Sequence, residues 1–162
     1  MALLKWLIVA LLALPVLLLA VGQLGGLEGP MPADLGVRDG RLKPPSSTSN
    51  SVSSQAALYP DHPMHTRAAI TPLPVVGDGA TTLARVKALV EATPGAQVLR
   101  VEPGYLYAQY RSRWLHFVDD VEFWHDPVAG VIQVRSASRL GREDFDVNRR
   151  RIEDLRARLG GA

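Results

Sequence analysis

The chain has 162 residues, no cysteine and a formal net charge of +2. This length fits one domain with an appendage, and an apolar fraction of 47% argues against a chain that is disordered throughout. Without cysteine there is no disulfide, thiolate nucleophile or cysteine-ligated metal. The 18 basic and 16 acidic residues nearly balance, so the chain lacks the unbalanced positive charge that phosphate backbones attract, and no nucleic-acid partner is expected.

Residues 1–27 form an apolar leader that contains one lysine and no acid. Its uninterrupted apolar run, Trp6 to Val21, is about 24 Å long as a helix, and extension to Leu27 makes it long enough to span a bilayer. Ala20-Val21-Gly22 also offers a signal-peptidase site, so a transmembrane anchor and a cleaved signal peptide both stay open, with a buried core helix less favoured.

The charges around the leader predict its orientation. Lys5 precedes the apolar run and acids follow it, which places the amino terminus inside. We therefore expect residues 28–162 to form a single extracytoplasmic domain. In a bacterium, this is a single-pass protein of the cytoplasmic membrane with its C-terminal domain in the periplasm or outside; the alternative is a domain secreted after signal cleavage.

The stretch from residue 28 to about residue 63 is rich in Gly, Pro, Asp and Ser and has no helical or alternating apolar pattern. It is either a linker that lifts the domain off the membrane or a surface segment pinned by side-chain hydrogen bonds to the backbone. The next residues, Arg67 to Val76, contain two prolines, which restricts them to an edge strand or to a position outside the sheet.

A first helix is predicted after Asp78, which can cap its amino terminus, and Pro94-Gly95 ends it. The apolar stripe of this helix is Leu83, Val86, Leu89 and Val90. From Gln97 to Arg139, strand-forming residues alternate with polar ones. Turn signals at Pro103-Gly104, around Ser112 and from Asp126 to Gly130 divide this region into three or four antiparallel strands.

A second helix is predicted in the C-terminal sequence DFDVNRRRIEDLRARLGG. Its core-facing residues would be Phe145, Asn148, Ile152, Leu155 and Leu159, supported by the ion pairs Arg149–Glu153 and Arg150–Asp154. The predicted fold class is α+β: an antiparallel sheet of about four strands with two helices packed on one face, preceded by an N-terminal apolar (signal-anchor) helix.

The stretch FVDDVEFWHD, residues 117–126, contains four acids and a histidine. Alternation places Asp120, Glu122 and Trp124 on one face of a strand. If residues 126–129 form a loop, Glu122 faces Gln133 and Asp120 faces Arg135, an ordinary cross-strand ion pair. The arginine competes with any metal for these carboxylates, and acids two apart on a strand do not by themselves form a hydrolytic pair.

Other patterns point more weakly to chemistry. The two histidines of DHPMH, residues 61–65, are separated by a proline and fit a surface loop better than a metal site. The arginines of RSASRLG, residues 135–141, could hold an anion or could bridge nearby aspartates. Trp114 and Trp124 are expected to pack in the core or on the sheet, with ligand stacking as the alternative.

Several of these residues together resemble the bacterial and plastid family called domain of unknown function 1499. They are Asn50 with Val52-Ser53-Ser54, FVDDVEF, VRSASRLG, Asp144, Asn148-Arg149 and Arg151-Ile152-Glu153. The resemblance extends from about Leu35 to Leu159 and implies one compact domain without an agreed activity. It also implies that the irregular segment, residues 34–66, packs on the domain. The family commonly has two cysteines where this chain has Pro45 and Ser51, so a redox or thiol function is not expected.

The polar residues of this resemblance are the candidate site. They are Asp119, Asp120, Glu122, Arg135, Ser136, Ser138, Arg139, Asn148 and Arg149. Such a set either fixes the sheet to a helix as a buried network or lines a pocket. No catalytic residue, metal or cofactor is predicted.

Three functions stay open, of which the first is favoured. The domain could be a non-catalytic envelope module that binds an anionic small molecule or an envelope protein. It could be a hydrolase-like enzyme that uses Asp120 or Glu122 as base, with Arg135 or Arg139 holding the substrate. It could also be a structural or assembly factor of the envelope.

Overall fold

The computed structural model describes residues 2–161. Its elements in chain order are α1 (Ala2–Gln23), β1 (Ser51–Ser53), a 3-10 turn (Ala56–Leu58), α2 (His65–Ala68), β2 (Leu73–Pro74), α3 (Gly79–Glu91), β3 (Ala96–Glu102), β4 (Tyr105–Arg111), β5 (Val118–Asp126), β6 (Val131–Ser138) and α4 (Val147–Gly160). The fold is α+β with an antiparallel sheet and an apolar N-terminal helix, as predicted.

The sheet has six strands, and the predicted count of about four is too low. Strands β3 to β6 form a meander, and both β1 and β2 pair with the outer edge of β6. These two strands are three and two residues long. Segments this short cannot display the alternation by which a strand is recognised in a sequence.

One face of the sheet carries the main core. Helix α3 begins at the Asp78 cap, whose carboxylate accepts a hydrogen bond from the Thr81 amide at 2.8 Å. The hydrophobic core packs helices α3 and α4 against the sheet. Its members include Leu83, Val86 and Val90 of α3, Ile152, Leu155 and Leu159 of α4, and Leu106, Val121, Phe123, Ile132 and Val134 of the strands. We call this side the helix face.

Helix α4 begins later than the sequence pattern suggested. Phe145 was predicted to face the core, but it precedes the helix with φ 52° and is 77% exposed. Asp146 also has a positive φ, so the chain turns here before the helix starts. The predicted pairs Arg149–Glu153 and Arg150–Asp154 are not among the ion pairs of residues 2–161. The pairs observed in this region are Arg149–Asp146, Arg156–Glu153 and Arg158–Asp154.

The β5–β6 hairpin has a different register from the predicted one. The Asp126 carboxylate accepts hydrogen bonds from the amides of Val128 and Ala129, both at 3.0 Å, so the loop starts after residue 126. Cross-strand partners shift by two residues as a result. Glu122 lies opposite Arg135, and Asp120 lies opposite Ala137.

The second face of the sheet is covered by residues 28–47, which we call the cover segment. Leu42 packs against Tyr105 and Tyr107, with Leu35, Val37 and Trp124 at the margin. Backbone groups of the segment bond to sheet side chains: the Gly36 amide donates to Glu122 at 2.7 Å. The sheet therefore lies between the helices and an irregular layer of chain. We call this side the cover face.

Candidate functional site

The candidate polar residues lie on both faces of the sheet. Because side chains alternate along a strand, Asp119, Ser136 and Ser138 lie on the helix face, whereas Asp120, Glu122 and Arg135 lie on the cover face. Arg139 follows the end of β6 and joins the cover-face group. Apart from Arg149, the candidate residues therefore form two clusters separated by the sheet.

The helix-face cluster is centred on Asn148, which is fully buried at the start of α4. Its Oδ1 accepts a hydrogen bond from Ser136 Oγ at 2.5 Å. Its Nδ2 donates to the Asn50 carbonyl at 3.1 Å and to Asp144 Oδ2 at 2.8 Å. One side chain thus joins α4, β6 and the residue before β1.

Arg151 extends this network toward β5. It donates to Asn148 Oδ1 at 2.6 Å and to Asp119 Oδ2 at 2.6 Å. Its guanidinium also lies 4.3 Å from the ring centroid of Tyr110. The charge of Arg151 is paired and hydrogen-bonded, so this network orders the sheet against α4 and leaves its ionised groups satisfied.

Arg149 belongs to neither cluster. It donates to the carbonyl oxygens of Ala69 and Arg67 at 2.9 and 2.8 Å, away from the sheet. These bonds hold α4 to the chain that follows α2.

On the cover face, Asp120 is clamped by Arg139. Nε of Arg139 donates to Oδ2 of Asp120 at 2.9 Å and Nη2 donates to Oδ1 at 2.8 Å, a bidentate pair. Tyr107 donates its hydroxyl to Oδ1 at 2.5 Å. The bond to Asp120 raises the pKa of Arg139, and burial raises the pKa of Tyr107 to about 12.

Glu122 is the second carboxylate of the cover face, and it is fully buried. Its Oε1 accepts hydrogen bonds from the Gly36 amide and from the Tyr105 hydroxyl at 2.7 and 2.8 Å. Within residues 2–161, Oε2 has no hydrogen-bond partner. Burial raises the pKa of Glu122, because the charged form is removed from water, although these bonds and Arg135 act in the opposite direction.

Arg135 is the partner that Glu122 would be expected to have, yet the two groups do not form a hydrogen bond. Arg135 Nη1 lies 3.9 Å from Glu122 Oε2. Arg135 is 4% exposed, and its Nε donates to the Pro44 carbonyl at 3.0 Å. Neither Nη atom donates a hydrogen bond to any group in the described part of the chain. Burial lowers the pKa of Arg135.

Arg135 borders a cleft of about 610 Å³ between the cover segment and β6, which we call the Arg135 cleft. Its walls and floor are formed by Pro30, Pro32, Asp34, Lys43, Pro44, Pro45, Ser46, Ser47, His62, Asp120, Arg135, Ala137, Ser138 and Arg139. Two of its charges are neutralised by direct pairs, Lys43 with Asp34 at 2.5 Å and Arg139 with Asp120. Among the arginine and lysine side chains that line the cleft, Arg135 lies farthest from its acidic partner, at 3.9 Å from Glu122.

Sequence reasoning missed the residues that complete this site. Tyr105 and Tyr107 alternate within YLYAQY and lie opposite Trp124 and Glu122 in the register, a signal that the alternation of β4 contained. The proline wall had no such signal. Its position follows from the path of the cover segment, whose sequence has no helical or alternating pattern of apolar residues.

Metal chemistry has little support in residues 2–161, where no group of three or more His, Cys, Asp or Glu side chains could hold an ion. In each of His62 and His65 a ring nitrogen is engaged by the backbone: His62 Nδ1 accepts a hydrogen bond from the Met64 amide at 3.2 Å, and His65 Nδ1 lies 2.9 Å from the His62 carbonyl oxygen. The two cover-face acids also differ from a hydrolytic pair. Both oxygens of Asp120 are occupied by Arg139, and Glu122 is sealed beneath the cover segment.

Comparison with known proteins places most of the chain in one family. A family profile described as "Protein of unknown function (DUF1499)" matches residues 41–159, which include both polar clusters. No curated protein matches the chain, and no solved structure does. The extent of the match confirms the resemblance seen in the sequence, and the chain belongs to the DUF1499 family of proteins of unknown function.

Proposed function

We propose that this domain is a non-catalytic module of the cell envelope that binds a small molecule carrying a carboxylate or phosphate group in the Arg135 cleft. The observation that carries the proposal is the incomplete hydrogen bonding of Arg135. Its guanidinium is buried, borders the cleft, and keeps both Nη atoms without an acceptor in residues 2–161.

A buried cation in this state is costly. Removing a charge from water is compensated only when close acceptors replace the lost hydration. Glu122 lies near enough to offset charge but, at 3.9 Å, too far to accept a hydrogen bond. A carboxylate or phosphate can accept two parallel hydrogen bonds from the fork of an arginine. Such a ligand would supply what Arg135 lacks.

The shape and charge of the cleft agree with a small anionic ligand. Its volume of about 610 Å³ lies within the range of roughly 300 to 1,000 Å³ that is typical of small-molecule sites. The Asp34–Lys43 pair is partly exposed at the wall, so Lys43 can turn toward a ligand. Prolines 30, 32, 44 and 45 also line the cleft, and their fixed φ stiffens this lining, which lowers the entropy lost on binding.

Binding is favoured over hydrolysis by the state of the two acids. A general base needs a free carboxylate oxygen within reach of its substrate. Asp120 uses both oxygens for Arg139, and Glu122 is fully buried. Asp120 and Glu122 thus act as the acidic partners of Arg139 and Arg135, and Asp120, although it lines the cleft, has no free oxygen.

The test is thermal unfolding of the full chain in detergent with inorganic phosphate, succinate, citrate and phosphoserine as probes. A ligand that binds only the folded state raises Tm. We expect at least one probe to raise Tm of the wild type and of Arg150→Lys, a matched change at an exposed arginine of α4. Arg135→Lys, which keeps the charge but loses the fork, should lose this rise.

A second variant guards against a folding defect at Arg135. Lys43→Gln changes a partly exposed wall residue and should reduce the ligand-dependent rise while leaving the unliganded Tm near that of the wild type. The proposal is contradicted if no probe raises Tm, or if Arg135→Lys and Lys43→Gln respond to the probes as the wild type does.

A further inference from the structure

The end of α1 is joined to residues 112–117, the loop between β4 and β5, which we call the exit loop. Gly22 is buried against it, and a Cβ at this position would lie 2.5 Å from the Leu115 carbonyl oxygen. Gln23 Nε2 donates to the Trp114 carbonyl at 2.7 Å. A side chain at Gly22 would therefore separate the helix from the loop.

One ion pair strengthens this junction. Glu28, just beyond α1, lies 3.0 Å from Arg111 at the end of β4. Gly22, Gln23 and Glu28 thus each contact the exit loop or the adjoining end of β4, so the position of α1 determines where the exit loop lies.

Helix α1 has the length and composition to cross a membrane. Its 22 residues span about 33 Å at a rise of about 1.5 Å per residue, close to the roughly 30 Å of bilayer hydrocarbon. Its mean hydropathy is 2.6 and its apolar window has no buried residue. If this helix spans a bilayer, Gly22 and Gln23 lie where the hydrocarbon ends, and the exit loop lies at the same level.

The side chains of the exit loop are of types that favour the boundary between lipid and water. Trp114, for which core or sheet packing was expected, is 63% exposed, and Phe117 is 38% exposed. Tryptophan is enriched at the boundary between lipid and water, where its amphipathic ring is well solvated. Arg113 lies 4.9 Å from the ring centroid of Trp114, which places a cation beside the ring.

A cleft beside the exit loop has room for a lipid headgroup. This shallow cleft has a volume of about 410 Å³ and is lined by Pro94, Gly95, Arg111, Ser112, Arg113 and His116. Arg113 and the Ser112 hydroxyl are groups that bind phosphate oxygens, whereas Arg111 is paired with Glu28. Anionic lipids attract such basic residues when they are held close to the membrane surface.

We propose that the exit loop is a lipid-contact surface on which Trp114 and Phe117 enter the headgroup boundary while Arg113 binds the phosphate of an anionic phospholipid. The partner is the bilayer that holds α1, so the inference requires that α1 be retained. It is independent of the ligand of the Arg135 cleft. The domain would then lie against the membrane at a fixed height.

The absence of cysteine from the natural chain allows the depth of single positions to be measured cleanly. Trp114→Cys and Val128→Cys would each be spin-labelled in the full chain, reconstituted in vesicles of phosphatidylcholine with phosphatidylglycerol. Val128 is 96% exposed and lies beyond the other end of β5, about 30 Å from the exit loop at roughly 3.3 Å per residue. Relaxation by oxygen and by a water-soluble nickel chelate reports depth.

We expect the label at position 114 to be more accessible to oxygen and less accessible to nickel than the label at position 128. Equal, fully aqueous accessibility at both positions would overturn the proposal, and so would a mature chain that begins after Gly22. Both substitutions are at exposed side chains, so a folding defect is not expected to confuse the comparison.

The headgroup part of the proposal is tested with the charges. In the Trp114→Cys background, the label should lie deeper in vesicles with phosphatidylglycerol than in phosphatidylcholine alone. Arg113→Gln should reduce this difference, whereas Arg150→Gln, on α4, should leave it unchanged. An unchanged difference in Arg113→Gln, or no difference between the two lipid mixtures in any variant, would contradict binding of anionic headgroups.

Discussion

Buried polar groups are hydrogen-bonded more completely on the helix face of the sheet than on the cover face. On the helix face, both amide atoms of Asn148 and both Nη atoms of Arg151 are hydrogen-bonded. Beside this network, the buried atoms without a partner among the described residues are neutral, Asn50 Oδ1 and the Tyr110 hydroxyl. Arg156 Nε on α4 also has no partner, but the same guanidinium donates to Glu153 and to the Thr71 carbonyl. On the cover face, the incomplete groups belong to ions. Glu122 Oε2 and Arg100 Nε are buried without a hydrogen-bond partner among the described residues, and Arg135 has only its bond to the Pro44 carbonyl and a 3.9 Å pairing with Glu122. Unpartnered ionised groups cost more than neutral ones. The helix face thus contains a hydrogen-bonded network, whereas the cover face contains charges that are only partly paired, which is where we propose that a ligand binds.

The largest expected effect is on the helix face. Asn148→Ala removes hydrogen bonds to three parts of the fold and leaves Ser136 and Asp144 with fewer partners. We expect it to lower the free energy of unfolding by about 3 kcal/mol, since each unsatisfied buried group costs roughly 1 to 3 kcal/mol. Denaturant unfolding of the full chain in detergent measures this. Arg150→Ala, at an exposed position of the same helix, should change the free energy by less than about 0.5 kcal/mol.

The second prediction concerns the incomplete ion pair of the cover face. Arg135→Met leaves Glu122 buried without a cation and should lower the free energy of unfolding by about 2 kcal/mol near neutral pH. In a Glu122→Gln background the same change should cost at least about 1 kcal/mol less, because no uncompensated charge is left behind. If the two substitutions are additive in a double-mutant cycle, the pair does not interact as described.

A pH dependence sharpens this second prediction. Burial raises the pKa of Glu122 above its ordinary value of 4.5, so the folded state holds this proton more tightly than the unfolded state does. The resulting stabilisation is fully present below pH 4.5 and is lost as the pH rises through the folded pKa. We expect the stability of the wild type, relative to Glu122→Gln, to fall as the pH increases above 4.5. A difference that rises with pH would show that the pKa is lowered instead.

The third prediction compares two tyrosines on opposite faces. Tyr105→Phe removes the hydroxyl that donates to Glu122 at 2.8 Å and should lower the free energy of unfolding by about 1 kcal/mol. Tyr110→Phe is the matched control, because the Tyr110 hydroxyl is buried without a partner among residues 2–161. Its removal should be nearly neutral or stabilising. Equal losses in the two variants would contradict the different roles assigned to the two hydroxyls.

The parts of this molecule that could be predicted from the sequence are those in which apolar residues recur at a regular spacing or a recognised capping residue is present. Alternation correctly places Asp120, Glu122 and Trp124 on one face of β5, and the Asp78 cap correctly starts α3. The register of the hairpin was wrong because the side chain of Asp126, by bonding two amides of the loop, decides where pairing begins. The prediction for Phe145 was wrong because residues 145 and 146 have left-handed backbone conformations, so α4 begins after them. No sequence pattern indicates these two conformations.

The candidate site was only partly predictable for a related reason. The sequence identified Asp120, Glu122, Arg135 and Arg139, but treated residues on both faces as one set. What makes the Arg135 cleft is the path of the cover segment over the sheet, which depends on single bonds such as Gly36 to Glu122 and Pro44 to Arg135. Long-range contacts of an irregular chain leave no repeating signal in its composition.

The most direct test of the incomplete site is a calorimetric titration of the full chain with the anion that gives the largest thermal shift, using wild type, Arg135→Lys and Arg150→Lys. The account predicts that Arg135→Lys binds at least about tenfold more weakly than the wild type, a loss of roughly 1.4 kcal/mol, and that Arg150→Lys binds as the wild type does. Equal affinity of all three proteins would contradict the claim that Arg135 is the ligand-binding group of the cleft.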